Sequence, residues 1–169
     1  MDYATFADLV RVSVDGWVEL AQRSTRDPRV SPELFRAAAE GADTSAWPAD
    51  VVAVALGGVA DVHAQIAAAS RFADGFLAGR YPAGLTPEQV AASDLPTVVA
   101  TITLRRMYGT AVTEQELVAT KWADEYLKNV ASGLVSLAPA ATGASETAGE
   151  VFYEFSPRSV TDDDLRGFA

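Results

Sequence analysis

Between Pro48 and Ala78, apolar residues recur in alternating steps of three and four: Val52, Ala55, Val59, Val62, Ile66, Ala69, Ala73 and Phe76. Asp61, Gln65, Arg71 and Asp74 fall elsewhere on the helical wheel. This spacing predicts one long helix with a narrow apolar stripe. At about 1.5 Å per residue it would span roughly 45 Å. A stripe of that kind suits packing against other helices. Gly57-Gly58 leave room for a bend or for a close neighbour. Gly79 reads as the glycine just past the helix end, and Tyr81-Pro82 cannot continue it.

The flanking segments supply further helices. Thr5-Phe6-Ala7-Asp8 has the spacing of a capping box and opens a short helix that buries Phe6, Leu9 and Val10. Asp15-Gly16 interrupts it, and a second helix runs from about Trp17 to Gln22. Arg23 to Val30 reads as a loop. Ser31-Pro32-Glu33 offers a serine cap, a proline in the first turn and an acid, so a third helix runs to Gly41. Thr86-Pro87-Glu88-Gln89 opens another short helix. Thr97 to Leu104 is rich in β-branched residues and could form a buried strand. The Asp94-Leu95-Pro96 start and the following Arg105 to Gly109 favour a helix instead. A last helix follows the capping box Thr113–Glu116 and ends at Gly133. Its expected apolar face is Ala119, Trp122, Ala123, Tyr126, Leu127, Val130 and Leu134. The predicted fold is mainly α: a small helical bundle around one long helix, spanning residues 1–137.

Composition shifts at Ala138. Residues 138–150 are almost all Ala, Thr, Gly, Ser and Glu, which cannot bury enough apolar area to order themselves, and they read as a flexible linker. Residues 151–169 read as a C-terminal arm, extended and with the alternation of a β-strand over Val151 to Phe155. Phe152, Tyr153, Phe155, Leu165 and Phe168 are its candidate anchors. They either fold back on their own helices or add to a neighbouring subunit.

Chemistry is sparse. The chain has 169 residues, enough to fold without a metal or disulfide, and no cysteine, so thiolate zinc sites and a cysteine nucleophile are excluded. The single histidine, His63, reads as a solvated helix-face residue rather than a triad member. Asp162-Asp163-Asp164 lacks the spacing of a calcium loop, and Thr161 with Asp164 reads as a capping box. No phosphate loop is present. No catalysis, metal or cofactor is expected. The net charge of −10 and pI near 4.4 give no general attraction to nucleic acid or to anionic membranes. No uninterrupted apolar run is long enough to span a bilayer, and the N-terminus lacks the features of a signal peptide, so no membrane is expected. Arg23, Arg26 and Arg29, with Arg36, form the one basic concentration. They either pair with nearby acids or contact a phosphate backbone or an acidic partner.

Four stretches resemble the Mu-like prophage family of small head–tail connector proteins. They are Tyr3 to Leu9, Phe76-Leu77-Ala78-Gly79-Arg80-Tyr81-Pro82, Ala131 to Leu137, and Ser159 to Phe168. Arg23 to Trp47 departs from the pattern, being longer and more irregular. The resemblance implies a structural virion protein of the neck, present in the host cytoplasm during assembly. Its implied partners are itself, in a ring commonly of twelve below the portal protein, and a tail or tail-completion protein that docks on it. Packaged DNA would pass through the channel without specific binding. The acidic charge also suits a different role, a cytoplasmic helical module that sequesters a partner protein.

Overall fold

A computed structural model of the chain describes residues 1–109 and 112–137, and these contain seven helices and no strand. They are α1 (Phe6–Val12), α2 (Trp17–Thr25), α3 (Pro32–Glu40), α4 (Ala49–Leu77), α5 (Pro87–Ala91), α6 (Leu95–Tyr108) and α7 (Glu114–Ser132). The expected linker at 138–150 and arm at 151–169 lie outside the described residues.

Helix starts follow local hydrogen bonding. Thr5, Thr86 and Thr113 each accept from the backbone N–H three residues on, and the side chains of Asp8, Gln89 and Glu116 accept from the threonine's own N–H in return. Ser31 caps α3 with Pro32 at its first position. Each such cap is worth about 1 kcal/mol. Two boundaries differ from expectation. Helix α2 continues three residues past Gln22, so Arg23 is helical rather than in a loop. At the end of α4 no left-handed glycine appears; Ala78 stays right-handed, and the amides of Arg80 and Tyr81 both donate to Leu77 O. Pro82, which has no N–H, then blocks any further turn.

Helix α4 is the spine, with α2, α3, α6 and α7 packed along it. Its buried positions are Val51, Ala55, Gly58, Val59, Val62, Ile66, Ala69, Ser70, Ala73 and Leu77. The middle of the predicted stripe is therefore buried, but its ends are not: Val52 and Phe76 are half exposed, and Val51 and Leu77 replace them. A straight α-helix drifts about 20° per heptad relative to a repeat of 3.5. Over the length of α4 that drift moves the buried side one residue earlier at the N-terminus and one later at the C-terminus. By length and mean hydropathy α4 could cross a membrane. In this fold it serves as the core of the bundle.

Helix α6 settles the choice between strand and helix. Leu95 and every residue from Val98 to Leu104 are buried, because α1, α2, α4, α5 and α7 surround it. The hydroxyls of Thr101 and Thr103 donate to Thr97 O and Val99 O at 2.8 Å, which satisfies them inside the core. A helix covered on nearly every side shows no amphipathic period, and this is why its sequence resembles a buried strand.

Helix α7 departs most from its predicted face. Only Ala123, Leu127 and Val130 are buried. Ala119, Trp122 and Leu134 are exposed, Trp122 by 42 %. Burial begins at Ala123, so the first two turns of α7 project beyond the helices that cover the rest.

Candidate functional site

The projecting end of α7 borders an open apolar groove of about 390 Å³. Val12 at the end of α1 and Val14 in the turn after it form one wall; Leu104 and Tyr108 of α6 and Trp122 of α7 form the others. Val14 is 90 % exposed, and Leu117 and Val118, on the turn of α7 before Trp122, are also exposed. The groove is held open by polar contacts at its margin. Arg105 grips Asp124 with two parallel bonds of 2.7 and 2.9 Å, tying α6 to α7. That pair holds the Asp124 carboxyl below the usual carboxylate range.

A second margin is built on Glu19, a buried acid of α2. It accepts from the Val14 amide at 3.0 Å and from the Tyr108 hydroxyl, and Arg23 Nε lies 4.0 Å away. Burial, and then the hydrogen bond to Glu19, push the Tyr108 hydroxyl up to about 12. A phenol whose folded pKa is raised adds stability that is complete below the free value near 10 and is lost as pH climbs from about 10 to about 12. Tyr108→Phe is expected to cost about 1.5 kcal/mol at neutral pH, since it removes a hydrogen bond to a buried charge. It should also flatten the alkaline fall in stability between those two values. Urea unfolding across that pH range checks both. An unchanged alkaline slope would show that Tyr108 does not set it.

The predicted arginine cluster is divided by the fold. Arg29 turns away and pairs with Asp27 and with Asp50, each at 2.8 Å. Arg36 pairs with Glu40 at 2.8 Å. Arg23 and Arg26 stay together and line a polar groove of about 500 Å³ with Arg106 of α6, Gln65 and Asp61. Nothing in the local spacing points to Arg106, which lies far along the chain from the cluster. Its neighbour Arg105 is about 100° away around the helix and faces Asp124, which leaves Arg106 on the α2–α4 side. Two rings fix these cations: the Arg23 guanidinium carbon sits 3.9 Å from the Tyr108 ring centre, and that of Arg106 sits 5.2 Å from Phe72.

His63 is exposed on α4, and its ring packs edge-to-face with Phe6 with centroids 5.0 Å apart. Among the described residues no group of three or more His, Asp or Glu side chains could hold a metal. The predicted anchors Phe152, Tyr153, Phe155, Leu165 and Phe168 all lie outside the described residues.

A family model described as Bacteriophage Mu, Gp36 matches residues 3–154. The chain belongs to the bacteriophage Mu Gp36 family. The matched stretch covers all seven helices of this Gp36-family chain and reaches Phe152 and Tyr153. It ends short of Phe155 and of Ser159 to Phe168. No curated protein and no solved structure matches the chain. Family membership places it among phage proteins.

Proposed function

We propose that this chain is a head–tail connector, a structural protein that assembles as a ring below the portal and gives the tail its docking surface. The observation that carries the reading is the Gp36-family match over residues 3–154, joined to the connector-like stretches quoted from the sequence. The geometry supports an assembly role. Val14 and Trp122 expose apolar side chains on one open groove, and exposed apolar surface of this kind marks contact surfaces. On this reading the neighbouring subunits are the first partners, and the portal and a tail-completion protein bind the finished ring. The arm residues Phe152, Tyr153, Phe155, Leu165 and Phe168 add a second contact, and DNA passes through the channel without specific recognition. The chain acts without a cofactor and catalyses nothing.

Two measurements test this. Quantitative mass spectrometry of purified particles should find the chain together with the portal protein. Its absence from mature particles would sink the proposal. Trp122→Glu should leave the helical content of the isolated protein unchanged, because the side chain is already 42 % exposed. In an infection it should leave filled, tailless heads. Normal particle yield from that variant would remove the α7 surface from the assembly.

A further inference from the structure

Arg23, Arg26 and Arg106 converge on one groove in a chain whose net charge is −10. Among the described residues, neither Arg26 nor Arg106 has an ion-pair partner, and Arg23 has only the distant contact with Glu19. Elsewhere among the described residues Arg11, Arg29, Arg36 and Arg105 each hold an acid within 2.8 Å, while Arg71 and Arg80 hold none and line no part of this groove. What sets the groove apart is that it gathers three cations, two of them without an acid partner among the described residues, at one place on an acidic protein.

The backbone at Arg26 points the same way. Arg26 closes α2 in the left-handed conformation, at φ 52°, and is the only non-glycine residue with positive φ among those described. A glycine would sit there without strain, and glycine is the usual occupant of such a cap. An arginine costs of the order of 1 kcal/mol in backbone energy. Its side chain makes no hydrogen bond or ion pair within the described chain that would offset this.

We propose that this groove docks a carboxylate-bearing polypeptide segment of a partner protein. The lining chooses between the two polyanions a phage protein meets. Guanidinium groups accept either carboxylate or phosphate. However, Asp61 also lines the groove, and it can only accept hydrogen bonds, while Gln65 can both donate and accept. A peptide presents amide N–H donors to Asp61 and carboxylates to the arginines at once. A phosphodiester backbone has no donor, and it would carry its charge past Asp61 onto a surface that is acidic overall. The inference stands on the groove alone and holds whether or not the protein is a connector.

The test uses the full chain and two labelled probes, a hexaglutamate peptide and an oligothymidylate, followed by fluorescence anisotropy at low and at physiological salt. The peptide should bind saturably at low salt and weaken as salt rises. Arg106→Glu should weaken it by at least about tenfold, the loss expected for a charge-assisted hydrogen bond of about 1.4 kcal/mol or more. Arg26→Gly should weaken it similarly while holding or raising thermal stability, because it relaxes the cap; lost binding therefore cannot be put down to unfolding. Arg36→Glu changes net charge as much as Arg106→Glu but lies outside the groove, and it should leave binding unchanged. The proposal is overturned by an absence of saturable peptide binding. It is equally overturned if Arg36→Glu weakens binding as much as the groove variants, or if the oligothymidylate binds more tightly than the peptide.

Discussion

Gly58→Val is expected to lower the stability of the helical domain by about 3 kcal/mol and its melting temperature by roughly 10 °C. The reason is contact. A Cβ at position 58 would stand 2.6 Å from Thr25 Cγ2, 3.0 Å from Ser24 Oγ and 3.1 Å from Phe35 Cε2. None of these can retreat cheaply. Thr25 and Ser24 are pinned by hydroxyl bonds to Ala21 O and Leu20 O at 2.8 and 2.7 Å. Phe35 is fully buried. The adjacent Gly57 is the control: it is exposed, and a Cβ there meets nothing within 4 Å. Gly57→Ala should therefore stabilise α4 by up to about 1 kcal/mol through helix propensity alone. Thermal unfolding of the two variants side by side gives opposite signs if α2 and α3 cross α4 at Gly58. Equal tolerance at both positions would mean that they do not.

Phe35→Ala should cost about 4 kcal/mol, a loss large enough to threaten folding of a domain of this size. Among the described residues Phe35 is the largest fully buried side chain. Its ring packs edge-on against Phe6 and Trp17, each with centroids 6.4 Å apart, and Phe6 in turn stacks on Trp17 at 5.9 Å. One side chain of α3 thus joins α1, α2 and α4. Its removal leaves a cavity beneath three helices that are anchored elsewhere, so collapse into the space is limited. The same ring supplies one of the three obstacles at Gly58. In the Phe35→Ala background, Gly58→Val should cost less than it does alone, with a coupling of the order of 1 kcal/mol. Urea denaturation of the single and double variants measures it. Strict additivity would show that Phe35 and Gly58 do not share one contact.

Much of the fold is legible in the sequence because much of it is local. Thr5, Ser31, Thr86 and Thr113 cap helices through atoms three residues away, and the chain order alone shows that. The long helix is legible on a different ground: an apolar stripe of period near 3.6 fits a helix and fits neither a strand nor a loop. Legibility weakens where surroundings rather than spacing decide. Thr97 to Leu104 carries both strand and helix signals, because a helix enclosed by five others needs no polar side. Spacing alone puts Trp122 on the apolar face of α7 and so in the core. Among the described residues Trp122 lies on an open groove, so the same pattern that buries Leu127 leaves Trp122 exposed.

The arginines show the same division most sharply. By itself the sequence determined that Arg23, Arg26, Arg29 and Arg36 lie in one short segment, that the helices start at their caps, and that a long apolar stripe needs helical partners. Hydrogen bonds across three residues and side chains repeating every turn are encoded along the chain, so these features follow from it. Only the tertiary structure decided that Arg29 leaves the cluster for Asp50, that Arg106 joins it from about eighty positions away, and that the stripe shifts by one residue at each end of α4. Which residue faces which depends on how far each helix reaches and on what crosses it, and that relation is set by packing between elements rather than by spacing within any one of them.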